Sequence, residues 1–373
     1  MQINKIVHLT TVHTRNDPRI FYKQSYSLAQ NKKNKLFLFV ADGLGEKKIN
    51  NINILDLGKP NNILYRLLIT SYKAYKRISF LQPDILHIHD PELIHLGILL
   101  KNDKTKIIYD SHEDFPKQLY SKPYLNNFFS FFLSHLAKSY QSFFLKKYNF
   151  IICATESIEK GFKKINDKTE VIKNYPEIKK NDFSFGKRNN QICYVGSISK
   201  VRGIYEILDL SSKLTNIKFS IAGNFNNFKL ESFIKSDEKW NNINYHGFLN
   251  RDDVYSLIKK SKIGLVLLHP TPNHLESLPT KLFEYMSMGT PIICSDFKLF
   301  KKIINENKCG FTVDPHNTND IINKINILIS NKKLLQKFSK NGVNAFRDKY
   351  NWDVEYKKLK KIYNLLLRNI QKT

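Results

Sequence analysis

Acidic residues, cysteines and long apolar runs are all scarce in this chain. Its 33 Asp and Glu stand against 60 Lys and Arg, a formal net charge of +27 at pH 7. Such a surplus draws phosphate-bearing partners, nucleic acid first among them. The lysines, however, are spread over both halves beside abundant Asn, Ile and Phe. Part of the surplus is therefore compositional, and part is read as serving an anionic lipid surface or a diphosphate ligand rather than nucleic acid. The four cysteines, Cys153, Cys193, Cys294 and Cys309, have no paired ligand spacing, which excludes a zinc framework and a disulfide scaffold. They fall in or beside apolar strand-like runs and read as core thiols of a reduced compartment. No stretch approaches the ~20 apolar residues that a membrane-spanning helix needs. The N-terminal INKIVHL reads as a strand and not as a leader, so a cytoplasmic or peripheral protein is expected.

What is present is an alternation. At 373 residues with 42% hydrophobic content, two folded domains are expected. Strand-like runs alternate with helix-length amphipathic segments, the pattern of parallel sheets with crossover helices. The first half reads as strands near 3–9, 35–41, 84–89, 105–110, 149–153 and 170–173. A second series follows near 191–195, 217–222, 263–268, 291–295 and 310–313. Between them the polar stretch 178–190, with Gly186, reads as a linker. The expectation is an α/β fold of two doubly wound units, 1–180 and 181–345, facing across a cleft. Beyond Asn317 the pattern is helical, and Trp352 begins a terminal helical segment as either an anchor or an ordinary core aromatic.

The most informative run is HLESLPTKLFEYMSMGTPIICSDF, residues 274–297. Thr280 to Met288 carries good helix formers after a Ser-Leu-Pro-Thr entry, and Gly289 with Pro291 closes it. Free N–H groups at that helix start, with Lys281 in its first turn, make a phosphate-sized anion site. Glu276 and Glu284 lie eight positions apart, about two helical turns. Carboxylates on either side of a phosphate site suit a ligand with hydroxyls at both ends, as a nucleotide-sugar has. A second loop, Gly196-Ser197-Ile198-Ser199-Lys200-Val201-Arg202-Gly203, follows an expected strand and opens a helix. Its glycines allow close backbone approach and its cations reach a diphosphate, unless it is a plain surface turn.

In the first half His87, His89, Asp90 and Glu92 end one expected strand, and Asp110, His112 and Glu113 end the next. Carboxyl strand ends are where open α/β sheets bind ligands. Asp17 and Arg19 flank Pro18, facing an acceptor or phosphates, or capping the helix that follows. A metal on His87, His89 and His112 is conceivable from ligand chemistry. No Asp-x-Asp pair exists in the chain, and no metal or other cofactor is expected.

The run 274–297 resembles the Glu, seven residues, Glu motif of the family-4 retaining glycosyltransferases, also called glycosyl transferases group 1. VHTRNDPRIFYKQSYSLA, HIHDPELIHLG, IIYDSHE, KNYPE, YVGSISKVRGI and YHGFLNRDDV resemble further pieces of that family in family order, from about Ile3 to about Tyr363. The resemblance implies the GT-B fold, two Rossmann-like domains, with a C-terminal helix, 346–373, crossing back to the N-domain. It implies that Glu276, His112, Arg202 and Lys281 act at the reacting sugar and diphosphate. Glu284, Leu278, Pro279, Thr280, Gly196, Ser197, Lys200 and Gly247 would bind the donor, with Glu284 on the ribose. Asp17, Arg19, His89, Asp90, Glu92 and Glu113 would lie on the acceptor side. Ser197 stands where many relatives have Arg, and Arg202 where they have Lys.

The segment from Lys117 to Tyr148 joins seven named apolar side chains, Phe128, Phe129, Phe131, Phe132, Leu133, Phe143 and Phe144, to five lysines with no acid. It reads as an interfacial segment or as a buried helix with a basic edge. The resulting expectation is a metal-independent hexosyltransferase, peripheral on the inner face of the plasma membrane. It would move a UDP-sugar, or a GDP-sugar, onto a surface glycan or lipid-linked oligosaccharide such as capsule or O-antigen. A nucleotide-sugar epimerase of the same fold and an inactive basic binding module are the rivals.

Overall fold

The computed structural model describes residues 3–121, 126–178 and 188–371. The chain divides into two compact units, one of Met1–Asn174 with Glu355–Thr373 and one of Tyr175–Val354. The sequence pattern places the divisions at 180/181 and 345/346 instead. Residues 179–187 of the expected linker, Gly186 included, lie outside the described residues. Arg188 and the asparagines after it are no linker. The Arg188 guanidinium donates to the carbonyls of Lys259, Ser261, Met288 and Gly289, and a strand begins at Asn189.

The first unit holds an eight-stranded sheet. Its strands are β1 Asn4–Leu9, β2 Asn34–Val40, β3 Lys47–Ile49, β4 Ile52–Asp56, β5 Ile85–Ile88, β6 Lys106–Ser111, β7 Phe150–Cys153 and β8 Thr169–Val171. The order is β3-β4-β2-β1-β5-β6-β7-β8, parallel except for β3. β2, NKLFLFV, is buried over its last five residues, the near-continuous apolar run of a strand covered on both faces. β3 and β4 have no counterpart among the expected strands. They form a short hairpin closed by Asn50 and Asn51, both in the left-handed region at φ 48° and 65°. An Asn-Asn pair supplies that two-residue turn because its short polar side chains tolerate positive φ.

The second unit holds a six-stranded, wholly parallel sheet. Its strands are β9 Asn189–Val195, β10 Lys218–Ala222, β11 Ile243–Tyr245, β12 Ser261–Val266, β13 Ile292–Ser295 and β14 Gly310–Val313, in the order β11-β10-β9-β12-β13-β14. Alternate residues of β9 feed opposite faces, Ile192 and Tyr194 into one core, Cys193 and Val195 into the other. β11 escaped the sequence reading because it is three residues long and only its first is buried. All four cysteines are buried free thiols.

Each sheet reverses its strand order once beside its first strand, between β1 and β5 and between β9 and β12. At such a switch point adjacent crossovers leave on opposite faces and the loops at the carboxyl ends part to leave a crevice. The loops after β1, β5, β9 and β12 carry most of the residues singled out from sequence. The last helix, Trp352–Gln371, starts in the second unit, where Trp352 is buried and its N–H donates to the Pro176 carbonyl at 2.8 Å. From Glu355 on it belongs to the first unit, where the Tyr356 hydroxyl donates to the Ser27 carbonyl.

Candidate functional site

In the second unit the glycines after β9, β10 and β11 form a side-chain-free ledge. Gly196 N–H donates to the Ala222 carbonyl at 2.8 Å and Gly223 N–H to the Gly247 carbonyl at 2.7 Å. A Cβ on Gly223 would lie 2.0 Å from the Gly196 oxygen, a clash no side chain escapes. Gly223, absent from the sequence reading, is thus as necessary to the ledge as Gly196. Gly203, at φ 82°, ends the turn Lys200–Arg202 and lets helix Ile204–Lys213 approach the Leu267 carbonyl, 2.4 Å from a virtual Cβ.

Lys281 faces this ledge. It sits in the first turn of helix Thr280–Ser287, yet only 5% of it is exposed. Its Nζ has no hydrogen-bond partner among the described residues and lies 3.7 Å from the Tyr194 ring centroid. A Cβ on Gly196 would come within 3.2 Å of that Nζ. Burial, then the charge of Arg202, holds the Lys281 pKa well below the usual lysine range, with Glu284 acting the other way. The helix follows Pro279, and no side chain caps it. An uncapped helix start and an unpaired buried amine converge beside a bare backbone ledge, which suits a multiply charged anion.

Arg202, half-buried, lies beside the Tyr194 phenol, whose pKa burial pushes up to about 12 against the pull of Arg202. The Tyr194 hydroxyl donates to the Ser197 carbonyl at 2.6 Å. Ser197, Lys200, Glu276 and Thr280 are exposed, while Leu278, Pro279 and Glu284 are half-buried. Glu284 lies close enough to Tyr255 to help raise its pKa, behind the larger effect of burial.

In the first unit β1, β5 and β6 bring together histidines that the sequence reading took separately. Parallel register sets His8 opposite His87, and that pairing was the missed signal. His8 Nδ1 is 2.9 Å from His89 Nε2, and His89 Nδ1 is 3.3 Å from His112 Nε2. Tyr363, from the last helix, meets His87 Nδ1 at 2.7 Å and His8 Nε2 at 3.3 Å. Burial holds His8, His87 and His89 well below the ordinary histidine range, His89 at about 3. Beneath them lies Asp110, also fully buried. Arg19 donates to both its carboxylate oxygens at 2.9 and 2.7 Å, and Gln24 adds a third bond. Burial works to raise the Asp110 pKa, but Arg19 and the histidines keep it well below the carboxylate range.

Several residues expected to face an acceptor are therefore committed elsewhere. Arg19 is 3% exposed and bound to Asp110 and the Ile172 carbonyl. Asp17 is the N-cap of helix Pro18–Ser25, accepting from the N–H groups of Arg19 and Ile20. Asp90 is buried and gathers the loop after β1 through Thr10 Oγ1, Thr11 N–H and Val12 N–H. Glu92 pairs with Arg66 at 2.9 Å. His89 is internal to the histidine chain. His112, with 18% of its side chain exposed, tops the chain, its ring tilted against that of His13 at 4.8 Å, and Glu113 is exposed beside it. His13, unremarked in sequence, pairs with Asp17 at 3.4 Å.

Comparison with known proteins agrees with both halves. Residues 30–175 match the model for Glycosyltransferase Family 4 and residues 176–345 match that for Glycosyl transferases group 1. The chain belongs to the family-4, group 1 glycosyltransferases. A similar curated protein is the alpha-D-kanosaminyltransferase of Streptomyces kanamyceticus, 24% identical over 177 residues, 46% of this chain and 45% of that one. Another is the capsular polysaccharide biosynthesis glycosyltransferase CapM of Staphylococcus aureus, 25% identical over 189 residues, 48% of this chain and 47% of that one. Both matches span less than half of those relatives' length. Among solved structures, HepE of Anabaena in complex with UDP superposes at TM-score 0.69 with 13% identity, covering 98% of this chain and 100% of that one. The shared fold is GT-B.

Proposed function

We propose that this family member transfers a sugar, with retention, from a nucleotide diphosphate sugar to a growing surface glycan or lipid-linked acceptor. A UDP-sugar is favoured, since HepE of Anabaena was solved with UDP. The observation that carries the reading is Lys281, a buried amine without a hydrogen-bond partner among the described residues, set against the glycine ledge at the uncapped start of its helix. That group is poised to neutralise a diphosphate. In the proposed reaction the bond from the anomeric carbon to the diphosphate breaks while the acceptor oxygen adds on the same face. Arg202, Lys281 and the helix start stabilise the charge on the leaving diphosphate, which takes the acceptor proton. Glu276 holds sugar hydroxyls, Glu284 the ribose, and His112 is the histidine assigned to the sugar. No metal takes part. Product analysis with UDP- and GDP-sugars and lipid-linked acceptors should show glycosylated acceptor, persisting in excess chelator. Donor turnover without acceptor would replace the reading with the epimerase. Abolition by chelator and rescue by manganese would replace its metal-independent step.

The acceptor reading is supported by helix Asn127–Leu145, which is amphipathic in reverse. Ser130, Ser134, Ala137, Gln141 and Leu145 face inward, while Phe128, Phe129, Phe131, Phe132 and Phe143 are 55–76% exposed. Nothing acidic occurs from Phe128 to Tyr148, and the Lys146 and Lys147 amines both lie 5.4 Å from the Phe143 ring. Exposed rings flanked by lysines suit the headgroup boundary of an anionic bilayer. No helix among the described residues is long and apolar enough to cross a membrane. The reading is peripheral attachment at the inner membrane face, where a lipid-linked acceptor would be met.

A further inference from the structure

Glu206, His269 and His316 form a cluster that the donor reading does not use. Glu206 lies in the first turn of helix Ile204–Lys213, His269 follows β12, and His316 lies in the turn after β14. Glu206 Oε1 is 2.9 Å from His269 Nε2 and 3.7 Å from His316 Nδ1, and the two rings lie 4.4 Å apart. Glu206 Oε2 is buried with no hydrogen-bond partner among the described residues. A carboxylate that leaves one buried oxygen unmatched beside two imidazoles lacks a positive group.

We propose that Glu206, His269 and His316 bind a divalent transition metal ion of the zinc, cobalt or nickel type. Ligand atoms around such an ion, with bonds of ~2.1 Å and tetrahedral angles, stand about 3.4 Å apart. The observed separations of 2.9 and 3.7 Å bracket that value, so small side-chain shifts complete the set. His316, 54% exposed at its side chain, leaves the outer coordination positions to water. The ligand set, one carboxylate and two imidazoles, selects the metal class. Arg202 lies near enough to act on His274, whose ring in turn meets the His269 carbonyl at 3.0 Å. Within the cluster itself, hard cations such as magnesium or calcium, which depend on several oxygen ligands, find one carboxylate, whereas the two imidazole nitrogens favour borderline metals.

The two histidine groups of the first unit are less suited. Apart from His87 Nε2, which has no hydrogen-bond partner among the described residues, the ring nitrogens of His8, His87 and His89 bond one another, Tyr363 or His112, Asp110 already pairs with Arg19, and these three histidines are closed to solvent. In the second unit the bound ion would tie the loop after β12, which leads to Glu276, against the start of helix Ile204–Lys213. It clamps the loop and takes no part in transfer.

The test uses the full chain without a histidine tag, stripped of metal and titrated with zinc by calorimetry and with cobalt by visible absorption. One ion per chain is expected at micromolar concentration, with slower amide exchange over residues 268–279. His316→Ala, at an exposed position that leaves the fold intact, and Glu206→Gln should each weaken binding on the order of tenfold or more. Absence of saturable binding, or binding unchanged in both variants, would overturn the site. Either result leaves the donor reading standing, since that is tested by nucleotide binding.

Discussion

Under the proposed donor reading, Lys281 is a single residue kept for function against stability. Its amine is buried without a hydrogen-bond partner among the described residues, and burial disfavours its charged form. Replacing a poorly compensated buried ionisable group by an apolar one of similar length is often neutral or stabilising, by up to about 1–4 kcal/mol. Lys281→Met should therefore raise the unfolding midpoint of the ligand-free protein while lowering nucleoside diphosphate affinity at least tenfold. Loss of both stability and affinity would mark Lys281 as a structural residue. The histidine chain gives a pH prediction. The folded pKa values of His8, His87 and His89 are depressed, so the unfolded chain binds more protons below pH ~6.5. Stability of the first unit is thus full above that pH and falls as pH drops toward about 3, the value for His89. His13, where Asp17 and Asp90 outweigh burial and raise the pKa, opposes this with one group. Protection factors of the β1 and β5 amides, corrected for the intrinsic rate that itself slows with falling pH, should drop steeply from pH 7 to pH 5. Unchanged protection would mean that these histidines are protonated in the fold.

Among elements, those with strong periodicity were legible and the short ones were not. Every expected strand has a counterpart within two residues at either end, because buried parallel strands write continuous apolar runs. β3, β4 and β11 carry three to five residues each, and two of the three are short enough to leave no run at all. The helix Thr280–Ser287 was legible from its Ser-Leu-Pro-Thr entry and Gly289 exit. What single-chain patterns could not convey was partnership across sequence distance. Arg19 with Asp110, or His8 with His87, becomes visible only once strand order is known. Helix Asn127–Leu145 admits two readings in sequence, and the structure leaves Phe128, Phe129, Phe131, Phe132 and Phe143 exposed while Tyr140 and Phe144 pack partly against the core. Changing Phe128, Phe129, Phe131 and Phe132 together to Ser should abolish sedimentation with anionic liposomes and leave nucleotide binding intact. A variant that unfolds, or a parent chain that ignores liposomes, would make the helix part of a core and remove the support for a lipid-linked acceptor.

At the scale of the whole molecule, the charge of +27 has two jobs under this account, one at a surface and one in a site. Surface attraction is screened by salt, while the buried Lys281 is not. Raising ionic strength should therefore loosen liposome binding much more than nucleotide binding. Equal loss of both would place the nucleotide on an exposed basic surface. The central claim is that the second unit holds a nucleotide diphosphate sugar between Glu276 and Glu284. The most direct test is calorimetric titration of UDP into the parent chain, Glu284→Ala and Glu276→Ala. One UDP per chain is predicted, weakened at least tenfold by Glu284→Ala and nearly unchanged by Glu276→Ala, whose loss should appear in transfer. No UDP or GDP binding to the parent chain, or equal weakening in both variants, would contradict the account.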